Sequence, residues 1–395
     1  MMRSAVSVLA LAVPLLVQGA PVRRAANPTD VLVLQFAGVL EQLETQFYTQ
    51  ALAKFQDSDF TAAGFSDVQV PIQQFTAIQS DEATHLSIIN STLESLGASP
   101  ISGCQFDFSS ALTSVSVMAA TARVVENLGV SAYLGAANMI SDPVLLTAAA
   151  SIMTVEARHQ TVLNLLNDAT SIPQAFDIAL SPSQVLAVAS PFISGCTIPI
   201  PANPTLTVTN TAPPAPGTAL TFASSALNSS TDGLFCQMMV GGAAFSISLP
   251  FNNCVVPDGI NGPVAIYITS DDQPIDNNIK EENTNTIVAG PTMAFIDADT
   301  DALAQLAVSG TASSSSNTTS AITTTISPSQ ASAIISAASA DSASAAPTAS
   351  PATTGSSTGT SSTDVVAFAG GPNLYTGPSA DGNINVLGWS TSMAS

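Results

Sequence analysis

Positive charge is what this sequence has least of. Seven Lys and Arg stand against 28 Asp and Glu, a formal net charge of −21 over 395 residues. Nucleic acids and anionic membranes need clustered cations to meet their phosphates, so binders of either kind are excluded as the default. A phosphate cradle built from several basic side chains is excluded for the same reason. There is no Gly-rich nucleotide loop, no Ser–His–Asp arrangement and no Cys-x-x-Cys pair. Beyond the first residues no apolar run is long enough to anchor the chain in a bilayer. The chain has two His in all, which makes each one informative. Charged residues are also few, at 9%, with a mean hydropathy of +0.37, and that argues against a wholly disordered protein.

The N-terminus reads as a processing signal. Arg3 forms a basic start, Ala5 to Val17 an apolar stretch, and Gly19 and Ala20 a small-residue cleavage site. Arg23 and Arg24 follow as a dibasic maturation site, so residues 1–24 are expected to be removed. The mature chain is then expected to be secreted. Four Cys in an exported chain imply two disulfides. Three connectivities are open; the boundary near residue 199 favours Cys104 with Cys196 and Cys236 with Cys254. Sequons for N-glycans stand at Asn90, Asn228 and Asn317, while Asn203 is followed by Pro and excluded.

Residues 28–198 are expected to form four long helices and a short fifth. Asn27, Pro28 and Asp30 give a cap, a first-turn Pro and a first-turn acid, and that helix runs to about Lys54. A second is expected from Pro71 to Gly97, a third from Ser109 to Ile140, and a fourth from Pro143 to Asn167. The fifth starts at Ser181 and Pro182. Val33, Phe36, Leu40, Leu43 and Phe47 recur at intervals of three and four, the period of one buried helical face. Short β-branched segments separated by Gly, Pro, Asn and Asp make residues 200–307 an all-β region, read as a sandwich. Residues 308–363 are almost all Ser, Thr and Ala and read as a disordered stalk. A C-terminal segment, 364–395, regains Phe368, Tyr375 and Trp389.

The chemistry gathers in the helical half. Each His has a Glu three positions before it, Glu82 for His85 and Glu156 for His159. With eight Glu in the chain, chance supplies one at a given offset about 2% of the time. Glu41 and Tyr48 are seven apart on the first helix, as are Glu126 and Tyr133 on the third. Counted from the helix ends at about 1.5 Å per residue, the carboxylates of each hairpin fall at one height. The segment 97–109 is long enough to cross a bundle, which permits an up-down-down-up order. Four Glu and two His then meet at mid-height. One Glu from each of two helices, with Glu-x-x-His from each of the other two, is the ligand set of ferritin-like dimetal proteins. Four carboxylates nearly neutralise two divalent ions, and mixed oxygen and nitrogen donors suit Fe or Mn. Glu82 and Glu156 are expected to bridge, Glu41 and Glu126 to hold the outer faces, and His85 and His159 to take one ion each. Glu44, one turn beyond Glu41, is expected either to support the ligands from behind or to serve as an alternative ligand. Tyr48 and Tyr133 gate oxidants, bond the ligands or simply fill the core.

The stretches at 40–48 (LEQLETQFY), 126–136 (ENLGVSAYLGA) and 148–159 (AAASIMTVEARH) resemble the secreted ferritin-like proteins of fungi, a group with stress-response and desiccation-related members. The resemblance covers residues 28 to about 200 and implies the fold and the metal site. It implies no particular reaction. Two transition-metal ions, with O2 or H2O2 as the small oxidant, make a metal-dependent oxidoreductase the leading expectation. The alternative is a non-enzymatic extracellular or cell-wall protein with a structural or vestigial metal site. The sequence leaves the oligomeric state open.

Overall fold

The computed structural model of the protein describes residues 27–227 and 230–310, together with the backbone of two short paired strands at Gly377–Pro378 and Asn385–Val386. The signal and dibasic segment, Asn228, Asn317, nearly all of the stalk and the rest of the C-terminal segment lie outside the described residues. Residues 27–310 belong to one compact unit and the paired strands to another.

Four long helices lead: α1 (Pro28–Lys54), α3 (Gln69–Ser95), α4 (Val115–Ala136) and α5 (Pro143–Leu166), with a short α2 (Asp57–Ala62) between the first two. Asn27 caps α1 by accepting a hydrogen bond from the Thr29 amide. Asp142 caps α5 in the same way, at Val144 and Leu145. Asp30 does more than complement the first turn of α1. Its buried carboxylate accepts from the Ser141 amide and hydroxyl and from the Asp142 amide, so it fastens the start of α1 to the turn between α4 and α5. The third helix begins six residues later than Ser109. The Asp107 side chain holds Ser109 in a turn, and the effective cap is Ser114, which accepts from Val117.

Cross-helix pairs give the directions. Gly38 lies against Ile89, and Thr49 accepts from Gln79, so α1 and α3 are antiparallel. Asn167 donates to the Ala119 carbonyl and Arg123 to Asn164, so α4 and α5 are antiparallel too. Tyr48 bonds Glu126 while Tyr133 bonds Glu41, which opposes α4 to α1. The order is therefore up-down-down-up, with the crossover between α3 and α4. Strands β1 (Gln105–Phe106) and β2 (Ile193–Ser194) pair beside it, where the Cys104–Cys196 disulfide fastens the crossover to the segment after α6 (Pro182–Ala189).

The chain then forms a short ladder, β3 (Thr207–Val208) with β4 (Phe222–Ala223), and a four-stranded antiparallel sheet. The sheet comprises β5 (Phe235–Val240), β6 (Ile247–Pro250), β7 (Gly262–Thr269) and β8 (Ile287–Ile296), in the order β6-β5-β7-β8. The second disulfide, Cys236–Cys254, lies here. Every residue of β7 is buried, because both faces of the sheet are covered, and its sequence is accordingly almost continuously apolar. Met239, Ala265, Tyr267 and Met293 face the bundle and share its core. Met238, Val264, Ile266 and Ile268 face the other way, onto Leu206 and Leu220 beside the ladder. The bundle and sheet are locked by Arg123 of α4. Its buried guanidinium pairs twice with Asp297, at 2.8 and 2.7 Å, and stacks 3.9 Å over Phe295. A helix that sequence patterning missed, α7 (Ala302–Ser309), follows and packs on α5. No helix among the described residues is long and apolar enough to cross a membrane.

Candidate metal centre

Each of the four long helices places a carboxylate at the middle of the bundle. Glu41 comes from α1, Glu82 and His85 from α3, Glu126 from α4, and Glu156 and His159 from α5. None of the six is more than 9% exposed. On α3 and α5 the three-residue spacing puts the carboxylate and imidazole on one face, about one turn apart.

The histidines organise the cluster. His85 Nδ1 lies 3.1 Å from Glu82 Oε2, 3.2 Å from Glu156 Oε1 and 3.4 Å from Glu41 Oε2. His159 Nδ1 lies 2.9 Å from Glu82 Oε1 and 3.1 Å from Glu126 Oε2. Glu82 thus turns one oxygen to each ring. Two groups of four can each converge on one point, Glu41, Glu82, His85 and Glu156, and Glu82, Glu126, Glu156 and His159, with ligating atoms within 4.8 Å of one another. Glu82 and Glu156 belong to both.

The seven-residue Glu and Tyr spacing has a structural reason. Tyr48 donates to Glu126 Oε1 at 2.6 Å, and Tyr133 donates to Glu41 Oε1. Because α1 and α4 run antiparallel, two turns separate Glu and Tyr on each helix, and each Tyr meets the other helix's Glu. Both hydroxyls thereby hold an outer carboxylate in place. Glu44 is also buried but belongs to neither group of four. Its position depends on Gly129 of α4, where an added Cβ would come within 2.8 Å of Glu156 Oε2 and 3.2 Å of Glu44 Oε1.

One partner escaped the sequence reading. Asp81 Oδ2 lies 3.2 Å from His159 Nε2, so a carboxylate orients the ring from behind while Nδ1 faces the cluster, the arrangement that fixes the tautomer of a ligating His. Its signal was present as an acid immediately before Glu82, but only the α3–α5 approach shows which His it serves. Asn90 stands half-buried on α3 with its Oδ1 enclosed.

The charge balance is unusual. Burial, reinforced by the Glu82 charge, pushes the Glu41 carboxyl up to about 8 against the pull of His85. Burial and then neighbouring carboxylates push Glu44 and Glu156 well above the ordinary range, and burial raises Glu126. Glu82 is the exception. Burial works upward on it too, yet the bonds to His159 and His85 hold it at about 2. Burial alone would lower the imidazoles, but their carboxylate partners raise His85 to about 12 and His159 to about 11. Without metal, protons are the cations that balance these carboxylates.

The residues fit a pair of divalent ions. Glu156 Oε2 is buried without a hydrogen-bond partner, and Glu41 Oε2, Glu82 Oε1 and Glu156 Oε1 meet only an imidazole nitrogen shared with other carboxylates, which is costly unless a cation completes them. Four carboxylates and two imidazoles supply the hard and borderline donors of Fe or Mn sites. Residues 29–168 match the family model of the ferritin-like domain. A search of curated proteins finds no match to the chain.

Proposed function

We propose that the chain is a secreted protein with a dinuclear carboxylate-bridged Fe or Mn site that consumes O2 or H2O2 in a stress response. The observation that carries this reading is the sharing of Glu82 and Glu156 by two four-residue groups. Glu82 and Glu156 would be shared by the two ions, Glu41 and Glu126 would hold them from the outer sides, and His85 and His159 would each take one ion. When bound, two redox-active ions supply one electron each to an oxidant, which a single ion does less readily. The chain's own residues prepare that site. Tyr48 and Tyr133 fix the outer carboxylates, Asp81 sets the His159 ring, and burial raises the Glu44 carboxyl next to the cluster. Secretion is supported by the N-terminal signal and by two disulfides, which are compatible with an extracellular protein.

Elemental analysis of protein purified without chelators should find about two transition-metal ions per chain. Stopped-flow mixing of the reduced, loaded protein with O2 and then H2O2 should give a spectral change that Glu41→Ala with Glu126→Ala abolishes. Metal-free wild type would remove the reading altogether. The depth of the cluster favours a second reading, in which the metal is structural; melting would then depend on metal while neither oxidant is consumed.

A further inference from the structure

An elongated cavity of about 270 Å³ runs through one end of the bundle and stops at the carboxylate cluster. On α1 it follows Val33, Phe36, Leu40 and Glu44, and on α4 it follows Ala136, Ala132 and Gly129 back to the same level. Eleven residues separate Val33 from Glu44, so at about 1.5 Å each the cavity is about 16 Å long. An extended aliphatic chain lying along the helices touches apolar wall over that whole length. The volume itself is close to the lower end for small-molecule sites, about 300 Å³.

Chemistry narrows the occupant further. Apart from Glu44, Thr92, Tyr133 and Ser183 the lining is apolar, so water there finds few partners. At the floor, Glu44 stands beside Glu156 across Gly129. Both side chains are buried, so a charged or hydrated head group would lose its water at the floor, whereas a methyl end would not. Midway along the cavity the α3 wall reaches solvent at Ile88, which is 53% exposed, and toward the far end the α5 wall does so at the exposed Ala148.

We propose that this cavity binds a single unbranched aliphatic chain, tail first, with the methyl end against Glu44 and the polar head at the mouth between α3 and α5. The site goes beyond the dimetal reading, because binding depends on the walls and needs no metal. Isothermal titration of 1-decanol and of decanoate into the full-length, metal-free protein tests it. Both should bind at one saturable site per chain with a negative heat-capacity change. Ala136→Phe fills the middle, and Ala148→Phe narrows the mouth from an exposed position where folding is not at stake. Each should weaken both ligands at least tenfold without altering the metal content of separately loaded samples. Absence of saturable binding to the wild type overturns the proposal. So does wild-type affinity in Ala148→Phe together with any folded Ala136→Phe protein. Metal content is measured separately, so failure of this site and failure of the metal centre are distinguishable.

Discussion

The outer carboxylates of the cluster are held by single phenolic donors, which makes their individual contributions measurable. Tyr48→Phe deletes the 2.6 Å bond to Glu126 and leaves that oxygen buried and unpaired, a cost of about 1–3 kcal/mol. We predict a lower melting temperature and weaker retention of bound metal, measured by competition with a chelator. Unchanged retention would assign Tyr48 to packing alone. Gly129→Ala acts from the opposite side. Its Cβ would stand 2.8 Å from Glu156 Oε2, so the carboxylate has to leave the position in which its other oxygen faces His85. The expected result is loss of metal with the helical circular dichroism retained; full occupancy would show that Glu156 is not needed where the structure puts it. Protonation gives a third test. Glu41 rises from 4.5 to about 8 on folding, so the folded form keeps a proton that the unfolded chain has released, and stability falls as pH rises through that window. The histidines have the same direction: their contribution is complete below about 6.5 and is lost toward 11 and 12. Glu82 has the opposite sign, contributing above 4.5 and losing that contribution as pH falls toward 2. Thermal melts of metal-free protein should therefore decline from pH 5 to pH 8. Mn²⁺ should flatten the decline, because the ions replace the protons. A metal-free melting temperature that climbs over that interval would contradict the charge balance described above.

Among the elements, the crossover between α3 and α4 has the least regular structure to hold it. It is fastened by the two-residue pairing of β1 with β2 and by Cys104–Cys196, which closes a span of 92 residues. Long loops gain most from such a link, and removing it should cost about 2–4 kcal/mol. Cys104→Ser with Cys196→Ser is expected to lower the denaturation midpoint while α1 and α3 keep their pairing. A midpoint equal to that of the wild type would mean that β1, β2 and Phe108 suffice. The helix ends show how local signals compete. Asp107, Ser109 and Ser114 all offer capping chemistry within eight residues. The chain uses the first pair for a turn, which lets Phe108, Ala111 and Leu112 enter the core, and the last for the cap of the helix that buries Val115 and Met118.

For the whole molecule, the sheet is a wall of the bundle as well as a layer of its own. Arg123 crosses that boundary with both nitrogens on Asp297 and a further bond to Asn164. Asp297→Ala leaves a buried guanidinium without its counter-ion, a change expected to destabilise by about 3 kcal/mol. Because the two layers share one core, we predict that bundle and sheet still unfold in one transition, followed by circular dichroism for the helices and by hydrogen exchange of the β7 amides for the sheet. Two separated transitions in the wild type would show that the shared core does not couple them.

The helical half was legible in the sequence because its information is local and periodic. Caps at Asn27 and Asp142, a 3.6-residue apolar stripe and two Glu-x-x-His spacings each act within a turn or two, and together they place six side chains at one height. The short α2 and α7 left no such trace, since six or eight residues carry too few turns for a period to show. The service of Asp81 to His159, the crossed pairing of Tyr48 and Tyr133, and the Arg123–Asp297 link join residues 78, 78, 92 and 174 positions apart. The cavity ending at Glu44 likewise exists only between helices. Spacing along a chain states what shares a face of one element, whereas the approach of two elements is decided by how their side chains fill the space between them, and that is a property of the folded packing alone.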